Sequence, residues 1–133
     1  MSDTKLPSAE TAPPTANRVY VGTRCAHGNP RVTVNGRTLD PRPSQKVHNH
    51  SPNGFEWGYG GSGPAQLALA ILLDATDGNK LTAEEWHQQF KWDHVTRWHQ
   101  NGWATTRAAV LRWLSEKLCP FPRPADDAEG GGG

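Results

Sequence analysis

Cysteine is scarce in this chain of 133 residues: Cys25 and Cys119 are the only two. They are too few and too far apart to brace a disulfide framework, and two ordinary thiols fit a reducing compartment. A long apolar run is also missing. The longest, Leu67 to Leu73, falls far short of the roughly twenty residues that span a bilayer, and no charged segment followed by an apolar one opens the chain. The reading is a cytoplasmic protein with no membrane partner. Strong net charge is lacking as well, with 14 Lys and Arg against 13 Asp and Glu. A dedicated DNA-binding domain is usually far more basic, which places nucleic acid behind an anionic small molecule or a protein as the expected partner.

The charges that are present lie unevenly. Arg18, Arg24, Arg31, Arg37, Arg42 and Lys46 face only Asp40 and Glu56 over residues 18–63, whereas Asp126, Asp127 and Glu129 make the end acidic. Residues 1–17 hold almost nothing apolar and are rich in Pro, Ser, Thr and Ala, so they read as a disordered arm that cannot offset the entropy of ordering. Residues 120–133 pass from Pro-rich to acidic to four glycines and read as a flexible tail. Between them, residues 18–119 have the length of one domain able to bury its own core.

The expected fold class is α+β, an N-terminal β-hairpin or small antiparallel sheet followed by three helices. Residues 18–24 alternate, with Val19 and Val21 on one side. Asn35-Gly36 supplies the positive backbone angles of a type I′ turn and sets a register of Val34 with Arg37, Thr33 with Thr38, Val32 with Leu39 and Arg31 with Asp40. The last pair is expected to form an ion pair on the wet face. Residues 40–53, with three prolines, read as an irregular connection, and Phe55-Glu56-Trp57 as a short third strand. A helix follows over Ala65 to Ala75 with Gly63 as N-cap and Pro64 in the first helical position. Thr82 and Glu85 form a capping box for a second helix ending near Asn101-Gly102, and a third runs from about Thr105 to Leu118.

Gly58, Gly60 and Gly63 spell G-x-G-x-x-G before the first helix. The dinucleotide fingerprint also needs a second parallel strand, a P-loop needs a lysine where Pro64 stands, and a nucleophile elbow needs a closing glycine that is missing here. Two readings of the loop remain. The N–H groups of Gly60, Gly61 and Ser62 could form an anion nest before a helix N-terminus, or the glycines let Trp57 and Tyr59 fold back tightly.

The stretch HSPNGFEWGYGGSGPAQLALAILLD, with FKWDHV and a Trp-containing last helix downstream, is similar to domain-of-unknown-function family 6166, small proteins of bacteria and their phages. The similarity covers about residues 18–115. It implies a bacterial, phage or mobile-element origin and an accessory role, and it carries over no activity, substrate or catalytic residue.

Other constellations are thinner. Cys25-x-His27 and His48-x-His50 offer four metal-ligand side chains without the usual spacing of a structural site, so no metal and no cofactor are expected. His87 and His94 read as solvated or interfacial. Glu56 beside His48 and His50 suggests an acid/base pair, but no nucleophile or paired carboxylates stand behind it, and no catalytic residue is assigned. Of six tryptophans most belong in a core, and one or two left at the surface make a binding hot spot. The resulting expectation is a non-enzymatic binding module. Its contact residues are Glu56, Trp57, Gly58, Tyr59, Gly60, Gly61, Ser62 and Gly63, together with the basic hairpin. The alternatives are a small enzyme acting on a nucleotide-like ligand with Glu56 and Ser62, and a nucleic-acid binder using the arginine-rich hairpin.

Overall fold

A computed structural model describes residues 18–118; the expected arm (1–17), the tail (120–133) and Cys119 lie outside the described residues. Asn35 and Gly36 have φ of 50° and 83°, the two left-handed residues that a type I′ turn needs. They join β2 (Pro30–Val34) to β3 (Arg37–Thr38) in the expected register, Val34 opposite Arg37 and Thr33 opposite Thr38. The Leu39 N–H continues the ladder by donating to the Val32 carbonyl at 2.9 Å. The expected Arg31–Asp40 pair does not form. Asp40 instead holds Arg42 at 2.8 Å, because the chain turns at once into α1 (Arg42–Val47), where irregular chain was expected. Pro43 sits in the first turn of that helix, where its missing N–H costs nothing.

The sheet has four antiparallel strands in the order β3-β2-β1-β4, with β1 (Val19–Arg24) between β2 and β4 (Gly102–Thr106). The class is therefore α+β, but β4 arrives after most of the helices and takes the place of the expected end of one helix and start of another. β1 turns Tyr20 and Gly22 inward and leaves Val19 exposed, the opposite of the face its valines suggest. Tyr20 is fully buried and donates its hydroxyl to Asp74 at 2.7 Å, so a polar tip is satisfied where a valine would have been simpler. Phe55-Glu56-Trp57 is irregular chain outside the sheet, not the expected third strand.

Helix α2 (Ser62–Ala75) begins at Ser62 with Gly61 as N-cap, two residues before the expected cap. It is buried from Gly63 to Leu73, as a helix apolar on nearly every side must be, and shares one core with Tyr20, Val32 and Trp103 of the sheet and Ala83 and Phe90 of α3 (Lys80–Asp93). Each leucine so buried contributes about 1.5–3 kcal/mol. Asn79 caps α3, accepting from the Thr82 N–H at 3.1 Å; that side chain does the work expected of the Thr82–Glu85 box. The helix breaks at His94, a 3₁₀ turn (Val95–Arg97) follows, and β4 leads into α4 (Arg107–Leu118).

Candidate functional site

Trp57 anchors the glycine loop. Its ring is fully buried, and its indole N–H is shared between the carbonyls of His99 and Gln100 at 3.0 and 3.1 Å. The Arg24 guanidinium lies 4.4 Å above that ring and grips Glu56 with both ends, Nη2 to Oε1 at 2.9 Å and Nη1 to Oε2 at 3.2 Å. Such a two-pronged pair on an aromatic face is a positioning device. It overturns the suggested acid/base pair, because the partners of Glu56 among the described residues are Arg24 and the Trp57 N–H, while His48 and His50 are engaged elsewhere.

The loop glycines mainly serve close approach. A Cβ on Gly60 would stand 2.6 Å from the Trp92 ring, one on Gly61 2.6 Å from the Tyr59 ring, and one on Gly63 2.7 Å from the Glu56 Cβ and 3.1 Å from its backbone N. Gly58 alone in the loop is left-handed, with φ 88°. An alternating right- and left-handed nest therefore does not form over Gly60 to Ser62, and the strands of the described residues all pair antiparallel, unlike the parallel unit of a dinucleotide fold. The first turn of α2 remains, and the N–H groups of Ser62 and Gly63 have no partner among the described residues.

Those amides border a groove of about 410 Å³ lined by Pro30, Asn53, Phe55, Glu56, Tyr59 and Ser62, among others. A helix N-terminus favours a negative group there, although Pro64 withholds one donor. Beside the groove, Tyr59 and Trp92 are 49% and 56% exposed. Of the six tryptophans, Trp92 is the one left at the surface. Of the expected contact residues, Glu56, Tyr59, Ser62 and Gly63 line this groove, whereas Trp57 is fully buried beneath the loop. The charges of the basic hairpin are partly spent, Arg24 being tied to Glu56 and Arg18 to Asp74 and Asp77.

A second polar constellation was not legible. Gln66, fully buried in α2, accepts from the N–H groups of His50 and Ser51 at 2.7 and 2.8 Å and donates to the Ser44 hydroxyl and the His48 carbonyl at 2.9 and 3.1 Å. This satisfies the amide and pins the segment after α1. There the His50 Nε2 meets the His87 Nε2 at 2.8 Å, and the His48 ring stacks on His50 at 3.9 Å. His87 is 3% exposed, which removes the solvated alternative of the two expected for it. Burial lowers its affinity for a proton and pushes the His50 imidazole down to about 4, helped by the charges of His48, His87 and Lys91. His94 likewise packs between Phe90 and Trp113. His48-x-His50 was visible as a pair, but nothing local ties it to a histidine 37 residues downstream of His50.

Two further hollows, of about 410 and 440 Å³, adjoin the C-terminal end of α2 and share Arg18, Leu39 and Asp74. Arg18, Asp74 and Asp77 there belong to an internal network in which Arg18 and Arg107 share Asp77 while Tyr20 and Arg18 share Asp74. Among the described residues no helix is long and apolar enough to cross a membrane. No curated protein and no solved structure matches the chain. A family model does match, over residues 20–116, and the chain belongs to that family, the Family of unknown function (DUF6166).

Proposed function

We propose that this protein is a non-enzymatic accessory binding module that takes an anionic group, carried by a small ligand or a protein partner, in the groove at the start of α2. The observation that carries this reading is the pair of half-exposed rings, Tyr59 and Trp92, laid directly on Gly61 and Gly60 beside unpartnered backbone donors. Exposed aromatic rings held by rigid backbone are the usual anchors of an interface, since they bring large contact area with few torsions to freeze. The N–H groups of Ser62 and Gly63 supply polarity of the right sign for a phosphate or carboxylate. Arg31 and Arg37, exposed on the hairpin, add positive field at longer range. Glu56 does not oppose an anion strongly because Arg24 neutralises it. An accessory role in a bacterium, phage or mobile element is what the family resemblance suggests, and it belongs to the same proposal.

The test has two arms. Amide resonances are followed as inorganic phosphate and ADP are added, and partner capture is compared between the wild type and a Tyr59→Ala/Trp92→Ala double variant. Movement of the Ser62 and Gly63 amides, or loss of a captured partner from the folded double variant, is expected. Unmoved amides together with unchanged capture by the double variant would sink the reading.

A further inference from the structure

The histidine side chains are not part of the groove lining, although Ser51, the residue after His50, is, and they have a chemistry of their own. The His87 Nδ1 is 2.7 Å from the backbone carbonyl of Glu84; a carbonyl only accepts, so Nδ1 carries the proton and Nε2 is left bare. Metal-binding histidines habitually use their second nitrogen in this way, fixing both tautomer and ring orientation. Facing that bare nitrogen at 2.8 Å is the His50 Nε2. Two imidazole nitrogens this close share one proton when no cation is present. A tetrahedral zinc ion about 2.0–2.1 Å from each nitrogen would space them about 3.3 Å apart, so the pair needs to open by only about half an ångström.

Both rings have firm seats. Gln66 holds the His50 backbone to α2, and His87 is buried in α3. Two more donors stand at the edge, where the His48 Nδ1 and the Glu84 Oε2 are 3.4 Å apart and each side chain is 49% exposed. Among the described residues no three such side chains already converge on one point. Completing a ligand set therefore requires His48 or Glu84 to rotate, and solvent exposure leaves them room to do so. Lys91 opposes a cation here, its ammonium resting 4.3 Å over the Trp92 ring and acting on His50. The Glu84 carboxylate offsets it.

We propose that His50 and His87, completed by His48 or Glu84, form a binding site for a borderline divalent transition-metal cation, with nitrogen-rich ligation suited to zinc. The sequence alone led to the opposite expectation, and Cys25 and His27, the other pair weighed there, take no part. The site clamps the segment after α1 onto α3.

The test is calorimetric titration of the full, chelator-treated chain with zinc, with melting temperature followed in parallel. Uptake of one ion per chain and a raised melting temperature are expected. His50→Gln and His87→Gln should each weaken binding at least about tenfold, while His99→Gln, at an exposed histidine outside the cluster, should leave it unchanged. No uptake by the wild type, or equal affinity in the folded His50 and His87 variants, would overturn the proposal. If either variant is unfolded by circular dichroism, a His48→Gln/Glu84→Gln double variant decides instead: a loss of about tenfold or more supports the site, and unchanged affinity removes it.

Discussion

Gly36 and Gly60 are the same residue type used for unrelated reasons. At Gly36 the backbone is left-handed, with φ 83°, and an added Cβ would meet nothing within 4 Å. At Gly60 the backbone is not left-handed, but the Cβ position is already filled by the Trp92 ring. The first glycine answers to its own torsion angle, the second to a side chain 32 residues away. Gly22 extends the second kind into the sheet, because its Cβ would lie inside the Trp103 indole on the paired strand. A glycine motif is thus readable from neighbours only when its cause is torsional. G-x-G-x-x-G here is largely a record of what folds over it.

Substitutions should separate the two kinds. The largest loss is expected for Gly22→Ala, since Trp103 is 9% exposed and stacked 3.9 Å from Trp98 and cannot move aside. Thermal or denaturant unfolding should show about 1–3 kcal/mol of destabilisation. In a Trp103→Ala background the same change should cost far less, the signature of direct contact in a double-mutant cycle. Equal costs in the two backgrounds would mean that Gly22 serves its torsion instead.

Gly36→Val should cost about 1–2 kcal/mol, because a β-branched residue is forced into the left-handed region. Gly36→Asn should cost much less, since asparagine tolerates that conformation. No truncation of a neighbour should rescue the valine. An unchanged melting temperature for Gly36→Val would remove the torsional explanation of the turn.

The smallest effect is expected for Gly60→Ala. The atoms met are the far edge of Trp92, a ring more than half exposed and able to swing outward. Less than about 1 kcal/mol should be lost, and nothing in a Trp92→Ala background. Because the ring is displaced, partner capture should fall more than stability does. A capture deficit that merely tracks unfolding would argue that the ring pair is structural.

The same division governs what could be read in advance. The hairpin register was legible because two adjacent residues dictate it, and the burial of α2 because Leu67 to Leu73 offer no polar face. Capping was legible only in part: Asn79 displaced Thr82 as the cap of α3, both being good caps within three residues of one another. β4 was not legible. Gly102 to Thr106 hold one buried apolar residue, Trp103, and become a strand by pairing with Val19 to Thr23. The Tyr59–Trp92 surface follows the same pattern, since Tyr59 and the glycines were in view from the start but Trp92 was one tryptophan among six.

Local torsion and composition therefore determined the turn at Asn35-Gly36, the central buried helix and the α+β class, because those preferences are satisfied within a few residues. Tertiary structure decided which tryptophan reaches solvent, which strand closes the sheet and which histidines meet. Each of those outcomes depends on a contact between residues tens of positions apart, such as His50 with His87 or Gly22 with Trp103. Such a contact exists only after the intervening chain has settled its own burial and hydrogen bonds.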